Sequence, residues 1–196
     1  TKLLNIISND QSKIKNHIPR FSLPFYSKIN PNLIRNSTFN ADNAFWTYWH
    51  NDFKIIQSDH IDKKSNILTI NRAGAEEDAN RQVWSNPVEI NTDGKQVYTV
   101  SFDLKIEDIQ KLDETQTIFS IRTFKKIDQQ FQKDSIWYKY IKLADVRTMK
   151  NASWVRVSYT FKPEAGKFLK VGPYLKRNGH VSWRNIKLEK GRKSTA

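Results

Sequence analysis

The run Phe45-Trp46-Thr47-Tyr48-Trp49-His50-Asn51-Asp52 places four aromatic rings and a histidine in eight consecutive positions. Aromatic faces stack on the flat C–H patches of sugar rings, while nearby Asn, Asp, Gln and Arg side chains satisfy ring hydroxyls in pairs. The same faces also stack nucleic-acid bases. Trp46 and Trp49 are therefore candidates for a binding platform. The competing reading makes one of them a plug at the end of a sandwich, since Trp is mostly buried in folded proteins. A second group, Trp137, Tyr138 and Tyr140, stands among Lys133, Lys139 and Lys142. That combination suits a surface gripping an anionic polymer, or a flap anchored to the fold by its aromatics.

Two further candidates follow from alternation. In Gln82-Val83-Trp84-Ser85, an inward Val83 puts Trp84 on the opposite face. In Ser120-Ile121-Arg122-Thr123-Phe124, Arg122 projects away from Phe119 and Ile121, either as a ligand clamp or as a rim cation whose stem covers apolar surface. Arg81 is a similar candidate, and the neighbouring run Glu76-Glu77-Asp78 reads as a solvated turn.

The elements that must hold these residues are strands. From Pro31 onward, short apolar runs alternate with turn signals, the pattern of an all-β antiparallel sandwich with about eight or nine strands. Tyr98, Val100, Phe102, Leu104 and Ile106 alternate cleanly after Asp93-Gly94, a hairpin-turn signal. Val155, Val157, Tyr159 and Phe161 share one side of another strand, which Pro163 ends. A last hairpin turns at Asn178-Gly179, and a bulge near Arg184 and Asn185 reconciles the parity of Val181 and Trp183 with that of Ile186 and Leu188. Residues 67–72, 81–90 and 117–126 supply shorter strands, 108–114 hint at a helical turn, and 125–150 are the least regular part. Trp154 and Trp183 read as structural. Residues 1–30 show neither period and read as an extended arm or linker, too apolar to float free, that docks on a partner chain; residues 31–196 are the sandwich.

Composition narrows the chemistry. With 196 residues, 38% of them hydrophobic and 12% aromatic, the chain can build a real core. Having no Cys, it has no disulfide, thiol nucleophile, iron–sulfur cluster or Cys-bound zinc. No stretch approaches the roughly 18 apolar residues of a membrane span. Beginning at Thr1, with Met149 as its only methionine, it reads as a piece of something longer or a processed product. The four His lack zinc-binding spacing, no carboxylate pair sits in a recognisable motif, and phosphate and dinucleotide loops are missing, so the chain reads as a binding protein and not an enzyme. The formal charge of +13 favours polyanionic partners. Nucleic acid is the weaker of these, because Lys and Arg are spread along the whole chain and no nucleic-acid motif is present.

Two segments carry a resemblance. Asn32-Leu33-Ile34-Arg35-Asn36-Ser37-Thr38-Phe39-Asn40, followed by Trp46 and Trp49, is similar to the N-L-L-x-N-x-x-F-E opening of jelly-roll carbohydrate-binding modules. The stretch Val181-Ser182-Trp183-Arg184-Asn185-Ile186-Lys187-Leu188-Glu189-Lys190-Gly191 resembles their closing strand, especially as found in tail and baseplate proteins of phages that infect Gram-positive bacteria, including accessory baseplate proteins of lactococcal-type phages. The middle strands around Tyr98-Thr99-Val100-Ser101-Phe102 and Tyr159-Thr160-Phe161 are similar too.

The resemblance implies a jelly-roll β-sandwich that binds saccharide without catalysis. Its setting would be a virion tail or baseplate, touching host cell-wall polysaccharide while residues 1–30 dock on other baseplate proteins. The alternative is a structural baseplate adaptor that assembles through the arm and binds no glycan. Many such modules also hold a structural calcium, which takes about six to eight hard oxygens. Here Asn40 replaces the family's Glu and Arg184-Asn185 replaces its closing-strand Asp pair, leaving Asn40, Asp62 and Asn185 as oxygen donors for a degenerate calcium site.

Overall fold

Alternation along strand β5 (Tyr98–Ile109) buries Tyr98, Val100, Phe102, Leu104 and Ile106 on one face. The computed structural model describes residues 30–58, 65–109, 116–146 and 153–195. In it β5 is flanked by β10 (Gly179–Lys190) and β8 (Val155–Phe161). Strand β2 (Ile67–Asn71) pairs with the far side of β10, and β1 (Phe53–Ile56) with β2, giving the order β1-β2-β10-β5-β8.

The second sheet runs β3 (Arg81–Gln82), β9 (Phe168–Leu175), β6 (Thr117–Phe124), β7 (Trp137–Lys142), with β4 (Val88–Glu89) also on β9. Every pairing is antiparallel, and the two sheets form a jelly-roll sandwich. The described helical pieces are a 3-10 turn at Gln132–Asp134 and one turn of α-helix, α1 (Leu143–Val146).

The core lies where the inner faces meet. Phe102 of β5 stacks on Phe119 of β6 at 4.4 Å between ring centres, and Trp183 of β10 donates its indole N–H across the sandwich to the Ile118 carbonyl at 3.1 Å. Full burial of one such side chain is worth about 1.5–3 kcal/mol. The opening segment is stitched to the closing strand: Asn32 Oδ1 accepts from the backbone N–H groups of Ile34 and Leu188, both at 3.0 Å, and Leu33 N–H donates to Leu188 O at 2.8 Å.

Three expectations change. Asp93-Gly94 and Asn178-Gly179 do mark turns, yet the chain passes there from one sheet to the other, so neither is a hairpin. A Gly with positive φ, such as Gly94 at 79°, lets the chain reverse, and the choice between pairing and crossing depends on the distant partner strand. The stretch expected to be irregular contains β7. The aromatic run at residues 45–52, expected as the loop after the first strand, follows no strand among the described residues, because residues 34–45 wind through turns with Asn36, Phe39 and Asp42 left-handed. The expected bulge is present: register shifts between Arg184 and Lys187, with Asn185 at φ 51°. Most of the expected helical turn at 108–114 and nearly all of the arm lie outside the described residues.

Candidate functional site

The outer face of the β3-β9-β6-β7 sheet collects most of the predicted residues. Register puts Arg122 of β6 beside Tyr138 of β7 and Lys170 of β9, and Ser120 beside Tyr140 and Gly172. Alternation then sends Arg122, Tyr138, Tyr140, Lys170 and Tyr174 to one side. Arg122 sits among three rings, its guanidinium carbon 5.3 Å from the Tyr138 centre, 5.1 Å from Tyr140 and 6.0 Å from Trp84. It donates to Ser135 Oγ at 3.0 Å and to the Tyr140 hydroxyl. Tyr140 is tilted against Tyr174 with centres 5.6 Å apart, and Tyr174 donates its hydroxyl to Asn80 Oδ1 at 2.6 Å. Burial, reinforced by Tyr140, holds the Tyr174 hydroxyl above its ordinary pKa, so it stays a donor.

Gly172 makes this face passable for the backbone. A Cβ there would lie 1.8 Å from the Val83 carbonyl oxygen, so only Gly lets the strand after Asn80 cross so close to β9. That crossing sets Trp84 over the sheet, where it stacks on Tyr48 at 5.1 Å and 15° and donates to Gln82 Oε1 at 3.2 Å. Tyr48 reaches it from a left-handed backbone, φ 59°, and remains 43% exposed. A cleft of about 340 Å³ opens beside these rings, lined by Asp78, Asn80, Gln132, Tyr140, Tyr174 and Lys176. A neighbouring hollow of about 220 Å³, lined by Tyr48, Trp49, His50, Asn80, Arg81 and Gln82, shares Asn80 with it.

Charge is organised at the hollow's rim. Asp52 Oδ2 accepts from Arg72 NH1 and Arg81 Nε, each at 3.0 Å, with His50 Nδ1 at 3.3 Å. Burial pushes the Asp52 carboxyl up, and the hydrogen bonds from Arg81 and Arg72 outweigh it and hold it below the usual carboxylate range. Arg81 is thereby fixed in the wall, since its NH1 also donates to Ala79 O at 2.8 Å.

The structure thus brings together Trp49, Trp84, Arg122, Tyr138 and Tyr140, and separates two others. Trp46 is core: it is buried, stacked on Phe39 at 5.0 Å, and its indole N–H is spent on Asn36 O at 3.0 Å, so no face is left for a ligand. Trp137 has the opposite parity from Tyr138 and Tyr140 and stacks on Phe161 of the other sheet at 6.2 Å, closing the sandwich edge. Trp84 is on the expected face but fully buried beneath Tyr48, and Trp49 is half-buried against Phe53. Asn80, Gln82, Gln132, Lys170 and Tyr174 were missed. Their one sequence signal is Lys170, a charge in a strand that also carries Leu169 and Val171.

The calcium expectation meets a different donor set. Asn185 donates its side-chain amide to Asp103 Oδ2 at 2.7 Å, and its main-chain carbonyl accepts from Arg156 NH1 at 2.8 Å. Arg184 reaches the same carboxylate at 3.2 Å while its guanidinium lies 4.2 Å from the Trp154 ring centre. Two guanidiniums stand among these oxygens, so the residues at Asn185 do not fit calcium. Asn40 is exposed, and Asp62 lies outside the described residues.

No protein-family model matches the chain, and no curated protein does. Among solved structures, it is similar to a CBM4 module (16% identity, TM-score 0.46, covering 81% of this chain and 99% of that one) and to a Family 16 Carbohydrate Binding Module (12%, 0.49, 80% and 99%). It is also similar to the enzymatically active domain of tailspike protein 4 of bacteriophage CBA120 (13%, 0.45), covering 82% of this chain and 21% of that one. With identities of 12–16% and TM-scores below 0.5, these likenesses say nothing about the site.

Proposed function

We propose that this domain binds saccharide, without catalysis, in the cleft and hollow that meet at Asn80. The observation that carries the reading is the pairing of aromatic side chains that keep exposed surface (Tyr48, Trp49, Tyr140) with planar amides (Asn80, Gln132) along two hollows that share Asn80. Rings take up the C–H faces of a sugar, and amides answer its hydroxyls in donor–acceptor pairs. The finer proposal is that the saccharide is host cell-wall polysaccharide and the setting a phage tail or baseplate at the host surface. It is supported by the resemblance of the Asn32–Asn40 opening and the Val181–Gly191 closing strand. Docking of residues 1–30 on other baseplate proteins belongs to the same proposal and lies outside the described residues.

The test is binding of the purified chain to Gram-positive cells and to their extracted wall polysaccharide, at low and physiological salt, with single-stranded DNA as control. Saturable binding that survives salt, is competed by the extracted glycan and falls about tenfold in Asn80→Ala supports the reading, tenfold being what a lost pair of ligand hydrogen bonds costs at about 1.4 kcal/mol. A folded protein that binds neither cells nor glycan overturns it, and a steep salt dependence with DNA binding would favour nucleic acid.

A further inference from the structure

Beside the open groove, the same sheet face holds two cations in an unusual state. Arg122 is 1% exposed and Lys170 3%, and they are register partners on adjacent strands. Among the described residues neither makes an ion pair. Arg122 Nε and Ser120 Oγ, two residues apart on the same face, are buried with no hydrogen-bond partner. Burying two like charges side by side without a carboxylate in salt-bridge contact costs stability, Asp128 acting on Lys170 only as a nearby charge, and a buried donor left idle adds to that cost.

The rings of Trp84, Tyr138 and Tyr140 enclose the Arg122 guanidinium, and residues 125–136 cap both cations. Lys170 Nζ donates to the Gln129 carbonyl at 2.6 Å and Arg122 NH1 to Ser135 Oγ at 3.0 Å. The cover buries none of its own side chains: Ile127 is 58% exposed and Phe131 52%. Besides those two contacts it is held to the sheet by polar ones, Gln132 Nε2 donating to the Tyr140 hydroxyl at 3.2 Å and Ile136 N–H to Thr123 O at 2.8 Å. Gln129 Oε1 closes the segment's own turn by accepting from the backbone N–H groups of Lys125 and Lys126, both at 3.0 Å. A segment with few buried apolar contacts lifts at little cost in free energy. Its neutral oxygens occupy donors better matched by a charged one.

We infer that an oxyanion substituent on the saccharide, phosphate or carboxylate, binds Arg122 and Lys170 in exchange for Ser135 Oγ and the Gln129 carbonyl, with residues 125–136 acting as a cover that yields to it. This rests on the saccharide reading above and extends it to the ligand's charge. The two acids place their oxygens differently around a guanidinium fork but satisfy the same donors.

The experiment is titration of the full chain with poly(glycerol phosphate), polygalacturonate and the neutral polymer dextran. Variants are Lys170→Met, Arg122→Gln and the cover-loosening pair Gln129→Ala with Ser135→Ala, each checked for folding by circular dichroism melts. The wild type is expected to bind one or both acidic polymers at physiological salt. Each cation variant should lose about tenfold for the acidic polymer, roughly one charge-assisted hydrogen bond. Loosening the cover should tighten acidic binding about fivefold or more, because apparent affinity scales with the population of the open form. Preference between the two acidic polymers identifies the oxyanion. If the loosened variant binds no tighter than wild type, or a folded cation variant binds acidic polymer as wild type does, the inference is overturned. Binding of dextran or wall glycan with no response to charge or cover overturns it while leaving the saccharide reading intact. Binding to no glycan at all overturns both.

Discussion

Replacing Lys170 by Met should stabilise the fold. The side chain is 3% exposed, makes one hydrogen bond, to the Gln129 carbonyl, and lies with its ammonium 5.2 Å from the Phe124 ring centre. Against the desolvation of an ammonium, several kcal/mol in a real interior, stand one charge-assisted hydrogen bond of about 1.5–3 kcal/mol and a cation–π contact of about 1–2 kcal/mol. Met, one atom shorter, keeps nearly the volume and replaces the ammonium by an apolar thioether suited to the side of an aromatic ring, so the balance favours the variant by about 1–2 kcal/mol. For a chain of this size that is about 2–8 °C in Tm. Burial holds the Lys170 pKa below its ordinary value of 10.5, only partly opposed by Asp128. Between the lowered folded value and 10.5 the unfolded chain holds a proton that the native state has released, so wild-type stability rises with pH through that window. The gap between variant and wild type is therefore full at neutral pH and shrinks as pH approaches 10.5. Thermal melts of both proteins at a series of pH values measure it. A variant that melts below wild type at pH 7, or a gap independent of pH, refutes the reasoning.

Tyr48→Ala removes the ring that covers Trp84; indole emission should shift to the red, stability should fall by about 1 kcal/mol, and glycan affinity should drop, all readable by fluorescence titration. Asp52→Asn deletes the carboxylate shared by Arg72 and Arg81 and should cost about 1–2 kcal/mol at pH 7 in urea unfolding. Because the folded pKa lies below the ordinary 3.8, that contribution is present above 3.8 and lost as pH falls through the lowered value, so the two proteins should converge in acid. Gly172→Ala drives a methyl into the Val83 carbonyl and should cost about 3 kcal/mol or more, seen as a large drop in the urea midpoint. A calcium chelator should leave Tm unchanged, while Arg156→Ala lowers it; a chelator-sensitive Tm would show that a metal contributes after all.

The sandwich was legible because alternation is a local property. Tyr98 through Ile106 alternate within nine residues, and the parity break at Arg184 and Asn185 announces its bulge. Arg122 was placed on the correct face by the same rule, and Trp84 opposite Val83. The rule fails where a face is decided by something distant. Arg122 is outward by parity but buried, because Trp84, Tyr138 and Tyr140 enclose its guanidinium and Ser135 of the 125–136 segment caps it. Trp46 and Trp49 lie three residues apart and differ in fate because Asn36, ten residues before Trp46, offers a carbonyl to its indole. Trp137 and Tyr138 were grouped by proximity, although neighbours on a strand face opposite ways. Reading that run as a strand would have separated them.

Net charge gave the least accurate guide to the site. A formal +13 spread over the surface attracts polyanions without choosing one, and salt screens it within about 8–10 Å. Lys170 and Arg122 differ in kind: they sit on adjacent strands behind a polar cover, where screening is weak and each carries a desolvation cost. Asp78, exposed at the cleft beside them and paired with Arg177, and half-buried Lys176 stay in reach of solvent, whereas the buried pair cannot be neutralised without changing its stability. If stability alone set this face, Met or Leu at position 170 would serve it better. A cation kept there against that gradient is the feature that separates a site from a charged surface, and the rise in Tm of Lys170→Met with loss of acidic-polymer binding would be its signature.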